Sequence, residues 1–207
     1  MNNFFQDDDF RNAMTFIENK KPSQIYFVSD IHFYKSEIAN RKADTELKMK
    51  KFLKECKKLG PNDVLIFLGD VGHVRCTLDQ NNKIKNLLKN TECKKILVKG
   101  NHDCLSNDYY KECGFTYVVN YLTYKNIILT HIPVVWDHTL SPKFPINNQM
   151  CQFKDYRYPK QWVNPQIYNN NIHGHIHGSD EYWDTEKKGH YDVWRDDHRF
   201  VRLDEII

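Results

Sequence analysis

Residues 25–32 read IYFVSDIH, a compact apolar run that breaks off at Asp30 and His32. A short run of β-branched and aromatic residues with polar flanks reads as a buried strand. The same grammar recurs down the chain. VLIFL at 64–68 is followed by Gly69-Asp70, ILVK at 96–99 by Gly100-Asn101-His102-Asp103, and IILT at 127–130 by His131. A brief fifth segment near Ile172 is followed by His173-Gly174-His175-Ile176-His177. Open α/β sheets carry their sites at the C-terminal ends of strands, and five strand ends here offer metal-competent side chains.

Helical spacing fills the gaps between these strands. Met49, Phe52, Leu53, Cys56 and Leu59 fall at offsets of 0, 3, 4, 7 and 10, with Asp44 or Thr45 expected to cap the start and Gly60-Pro61 to stop the helix. A weaker helix is expected around Leu78–Lys89, with Ile84, Leu87 and Leu88 on one face. Alternating strands and helices imply an α/β domain with a largely parallel central sheet. The second half changes character. Tyr117–Val119 and Leu122–Tyr124 read as strands, 138–171 is long, polar and broken by proline, and 182–203 suggests further short strands. A loop as long as 138–171 is often functional. With no repeat, low-complexity tract or linker, a single domain over 1–207 is expected.

Composition narrows the function without naming it. The net charge of +3 is too small to argue for nucleic acid on its own. No apolar run approaches the ~18 residues of a membrane span, and the acidic start MNNFFQDDDF lacks the basic, then apolar pattern of a signal peptide. A cytoplasmic protein is expected. The six cysteines (56, 76, 93, 104, 113 and 151) form no CxxC and are expected as reduced thiols, none of them a ligand.

The motif spacing has its own physical content. In an extended chain, residues i and i+2 face the same side, so Asp30 with His32, and His175 with His177, are expected to converge. Carboxylates, imidazoles and one amide without thiolate suit Mn²⁺, Fe or Zn²⁺ in a reactive centre more than a structural zinc site.

The motifs D-x-H, G-D, G-N-H-D, H and G-H-x-H, in this order from 30 to 177, resemble those of the calcineurin-like metallophosphoesterases. The resemblance implies a four-layer α/β/β/α sandwich with mixed sheets and a dinuclear centre of two divalent ions, Mn²⁺ first, with Fe, Zn²⁺ or Ni²⁺ as alternatives. Asp30, His32 and His177 would hold one ion, Asn101, His131 and His175 the other, and Asp70 would bridge them. A shared hydroxide would attack phosphorus, and His102 would protonate the leaving oxygen. Asp70 and His102, with His73, form the expected catalytic group.

His73 departs from the Asp that many members carry three residues after the bridging Asp. A His there occurs in nuclease and other phosphodiesterase branches, and it tilts the expectation from a protein phosphatase to a phosphodiesterase acting on a small or cyclic nucleotide. His73 would bond the phosphate, pair with His102, or serve only as a spacer. Asn101, Arg75 and Tyr34, along with Trp136 and His138, follow motif loops and are candidates to touch substrate. Asp103 is read as a support for His102 or His131, or as the cap of the next turn, and His173 as a satisfied strand-end histidine. Other readings are a phosphomonoesterase, a nuclease with nucleic acid as partner, or a non-catalytic scaffold like the retromer subunit of this superfamily.

Overall fold

The structure, a computed structural model, describes residues 8–34, 42–72, 76–133, 170–175, 189–195 and 199–207. After helix α1 (Asp8–Glu18) the chain alternates β1 (Ile25–Val28), α2 (Lys42–Cys56), β2 (Val64–Leu68), α3 (Leu78–Lys89), β3 (Lys94–Val98) and α4 (Asn107–Glu112). Strands β4 (Tyr117–Val119), β5 (Leu122–Tyr124), β6 (Ile127–Leu129), β7 (Asn170–His173), β8 (His190–Asp192) and β9 (Val201–Arg202) follow.

The strands form two sheets. The first runs β4-β3-β2-β1-β9, with the first four parallel and β9 antiparallel against β1. The second runs β5-β6-β7-β8, with β5 antiparallel to β6 and β6, β7 and β8 mutually parallel. Both sheets are therefore mixed, as expected for the sandwich.

Side-chain alternation decides what each face meets. Phe27, Val64, Ile66, Leu68, Ile96 and Val98 share one core with Leu122, Ile127, Leu129 and Ile172 of the second sheet. Leu65, Phe67, Leu97 and Val118 share the other with Phe52 of α2, Ile84 and Leu88 of α3, and Tyr110 of α4. β2 is fully buried along its length, because sheet lies on one face and helix on the other.

Local chemistry sets the helix ends. Thr77 and Gln80 form a reciprocal capping box at the start of α3, and Ser106 accepts the Tyr109 N–H at the start of α4. The expectation for α2 needs correction at both ends. It already starts at Lys42, so Asp44 and Thr45 lie inside the helix and not before it. It ends at Cys56, and Gly60 instead opens a separate turn whose N–H is accepted by the Asp63 carboxylate at 2.7 Å. Among the described residues, no helix is long and apolar enough to cross a membrane.

Phe52 joins α2 to the sheet, to β9 and to the loop after β1. Its ring lies 5.7 Å from Phe33, 5.8 Å from Phe67 and 5.6 Å from Phe200. Phe52→Ala is expected to lose about 3–5 kcal/mol of stability, read from the urea midpoint. A loss under about 1 kcal/mol would show that this cluster does not hold the layer together.

Candidate active site

The polar groups gather where the two sheets meet, at the C-terminal ends of β1, β2, β3, β6 and β7. The backbone there is unusual. Asp30, His32, Tyr34, Asp70 and His175 all have left-handed φ, between 48° and 71°. This corrects the expectation from an extended chain: Asp30 and His32 converge through two left-handed residues flanking Ile31. Asp and His tolerate this region better than most side chains, yet each such residue costs of order 1–3 kcal/mol and persists only where its surroundings dictate it. The surroundings here are hydrogen bonds between adjacent loops: Asp30 N–H to Gly69 O (3.1 Å), His32 N–H to Asp70 O and Phe33 N–H to Val71 O (both 3.0 Å).

Glycine supplies the close approach of loops to carboxylates. A Cβ on Gly100 would lie 2.3 Å from Asp70 Oδ1, and one on Gly174 would lie 2.5 Å from Asp30 Oδ2. Neither position accommodates a side chain without moving a carboxylate.

Asp103 ties two of the loops together. Its carboxylate accepts the N–H groups of Asp70 (2.7 Å), Gly100 (2.8 Å) and Val71 (3.2 Å), and Tyr110 OH donates to it at 3.5 Å. It makes no hydrogen bond to a histidine or to the following turn among the described residues, but its charge helps to raise His131, the support expected of it. Two more bonds draw the second sheet in: His175 N–H donates to Asp30 Oδ2 at 2.8 Å, and His131 Nδ1 lies 2.8 Å from Leu68 O.

Nitrogen and oxygen atoms then converge on Asp70. His32 Nε2 and His131 Nε2 each lie 3.5 Å from Asp70 Oδ2, and His102 Nε2 lies 3.9 Å away. His131 Nε2 also stands 2.9 Å from Asn101 Oδ1 and 3.1 Å from His175 Nδ1. Because His131 Nδ1 donates to Leu68 O, its neutral ring turns a lone pair at Nε2 toward the Asn101 and Asp70 oxygens. Such an arrangement requires a cation at its centre, either a proton or a metal ion.

Burial makes that requirement stronger. Asp30 and Asp70 are each only 2% exposed. Desolvation first, and the neighbouring Asp103 and Asp30 carboxylates next, push Asp70 up to about 7 despite the opposing pull of His131. Burial works against charge on His131, but Asp70, Asp30 and the Leu68 carbonyl together raise it above the usual imidazole range. With no metal bound, Asp70 and His131 hold a proton where an ion would sit.

Two metal-competent groups share Asp70: His32, Asp70 and His102, and Asp70, His131 and His175. In each, the candidate ligand atoms lie within 4.8 Å of one another. Asn101 adds an oxygen to the second. Asp30 Oδ1 stands 3.8 Å from His32 Nε2, beside the first. The donor set fits divalent ions. His102, its side chain 23% exposed beside nearly sealed His32 and Asp70, stands at the mouth, edge-on to His32 with ring centres 4.9 Å apart.

Other candidates fall elsewhere. Tyr34, a candidate to touch substrate, is 4% exposed and packs in the helix-side core with Phe33. His173 is buried, its Nδ1 donates to Gly174 O at 3.1 Å, and desolvation pushes it down to about 4, so it is neutral. His73, Arg75, Trp136, His138 and His177 lie outside the described residues. The roles of Asp103 and Tyr110 were missed; the position of Asp103 beside His102 was their only signal.

Known proteins give an independent view. A family model described as calcineurin-like phosphoesterase matches residues 23–204. No curated protein matches. Among solved structures, a protein of unknown function from Aquifex aeolicus, AQ665, is 24% identical with a TM-score of 0.59, the match covering 88% of this chain and 96% of that one. That likeness is one of fold. The Pseudomonas putida nuclease MPE is 20% identical with a TM-score of 0.44, over 75% of this chain and 61% of the nuclease.

Two measurements check the site. Mn²⁺ binding to metal-free protein at pH 7 is expected to expel the Asp70–His131 proton, giving net release in a weakly buffered indicator solution. The sign follows from the raised Asp70: apparent affinity rises with pH through about 7 and falls below it. Binding without proton release would be inconsistent with this pair. Gly100→Ala is expected to weaken Mn²⁺ binding at least about 10-fold while the far-UV spectrum stays native, since its Cβ displaces a carboxylate ligand.

Proposed function

The chain belongs to the calcineurin-like phosphoesterase family, and from that premise we propose that it is a dinuclear phosphodiesterase acting on a small or cyclic nucleotide-type substrate. Family membership makes it a metal-dependent phosphoester hydrolase. The observation that carries the dinuclear reading is the pair of His/Asp groups meeting at one buried carboxylate, Asp70. When bound, two divalent ions would supply an activated water and neutralise the charge on the phosphoryl and leaving oxygens. We place Asp30, His32 and His177 at one ion, Asn101, His131 and His175 at the other, and Asp70 between them.

His102 is the proposed general acid. Its backbone N–H donates to Asp70 Oδ1 at 2.9 Å, which fixes its main chain against the centre. With Asp30 and His177 completing the first ion's ligands, its partly exposed ring would face the departing oxygen and give it a proton. The preference for a diester rests on His73 in place of an acidic residue. The ion read first is Mn²⁺, and the domain is read as single.

The decisive experiment gives Mn²⁺-loaded protein bis-p-nitrophenyl phosphate, p-nitrophenyl phosphate and an oligonucleotide in parallel. The diester is expected to turn over fastest, and activity to disappear with chelator. A faster monoester or oligonucleotide reaction would overturn the substrate reading. His102→Ala is expected to keep two Mn²⁺ per chain while kcat falls about 10²–10⁴-fold, most with an alkyl leaving group. One Mn²⁺ per chain in that variant would make His102 a ligand instead.

A further inference from the structure

Beside His102, on the side away from the second sheet, a cavity of about 90 Å³ opens between α3, α4 and the two loops that carry Asp70 and His102. Its walls include Val71 of the first loop, Ile84 and Leu88 of α3, Leu105 after the G-N-H-D motif, and Tyr109 of α4. His102 is the lining residue it shares with the metal-competent groups. The cavity therefore begins at the residue proposed to protonate the leaving group.

We propose that this cavity receives the leaving group of the substrate, and that it selects a neutral, flat group of about one six-membered ring, as in a phenyl or pyrimidine-bearing alcohol. The proposal rests on the phosphoesterase reading and sharpens its substrate. Three features point to this occupant. Among the described residues no Lys, Arg, Asp or Glu lines the cavity; its polar walls are Asn81, cysteines, tyrosines and His102. Aliphatic side chains and a tyrosine ring favour an apolar, planar guest. The volume is below the ~150 Å³ of an enclosed cavity that holds benzene, so one ring enters by its edge and a fused bicycle does not seat fully.

The walls are also held at a defined separation. Tyr109 OH donates to Asn81 O at 3.1 Å, bridging α4 to α3 across the cavity rim. Lys99 Nζ donates to Leu105 O at 3.0 Å, which fixes the loop bearing Leu105.

Leu105 is half-buried at the rim and outside the metal set, so it can be altered without touching a ligand. The test compares methyl phenyl phosphate with dimethyl phosphate in wild type, Leu105→Trp and Leu105→Ala, all Mn²⁺-loaded. The readout is the phenyl-to-methyl ratio of kcat/KM, taken relative to wild type so that leaving-group acidity cancels. Leu105→Trp is expected to cut the ratio about 10-fold or more, and Leu105→Ala to extend acceptance to a naphthyl ester. A ratio unchanged in both variants would overturn the proposal.

A binding measurement separates this result from failure of the parent reading. Phenylphosphonate is expected to bind wild type more tightly than methylphosphonate, with the difference lost in Leu105→Trp, whether or not the esters are hydrolysed. Equal affinities for the two phosphonates in wild type would exclude the pocket. Tight, ring-selective binding without turnover of either ester would leave the pocket standing and remove the catalytic reading.

Discussion

The site depends on the Asp103 carboxylate. With 1% of its surface exposed, it accepts N–H groups from Asp70, Val71 and Gly100. It thereby binds the loop after β2 to the loop after β3 at the place where both turn sharply. Asp70 then sits close enough to Gly100 for a Cβ to be excluded, and its own Oδ1 takes the His102 N–H. A buried carboxylate with several N–H donors is well compensated, whereas one left alone would cost several kcal/mol. Asp103 thus spends its charge on the backbone, and Asp70 keeps its oxygens turned toward the histidines.

That clasp explains how the left-handed residues survive. Five of them fall within the loops carrying the site, and their combined strain is of the order of the whole stability of a small domain. The loops hold because Asp30, His32 and Phe33 donate to the neighbouring loop's carbonyls, continuing the parallel pairing of β1 with β2 beyond the strands themselves. Phe33 and Phe52 press the same segment onto the helix-side core. Packing energy from the core is transmitted to the site as geometry.

How far the sequence could be read follows from these forces. Buried strands announce themselves by composition, so β2 was legible to the residue over Val64–Leu68. β3 begins two residues before its apolar run, at Lys94, because Lys95 is buried by donating its ammonium to Thr91 and Cys93, a solution composition alone does not reveal. α1 was hidden by its acidic start, although Phe10, Ala13, Met14 and Ile17 fall at helical offsets and pack on the inter-sheet core. Which polar residues meet was visible from the motif order. The means by which they meet was not, because left-handed turns at Asp30 and His32 are imposed by the neighbouring loop and leave no trace in local propensity.

The charge balance of the interior links fold to chemistry. Asp30, Asp70 and Asp103 are each nearly sealed from water within one small region. Only Asp103 is answered by a fan of backbone donors. The other two face imidazoles, which serve as ligands when neutral and as counter-ions when protonated. A proton shared by Asp70 and His131 offsets one of these charges, but it is small and directional, and it leaves the remaining nitrogen lone pairs facing carboxylate and amide oxygens. Divalent ions held by His32, His131, His175, Asn101 and Asp70 would satisfy these donors together and would supply the positive charge that the buried carboxylates call for. The groups that make this interior costly to bury are the groups that make it attract a phosphate.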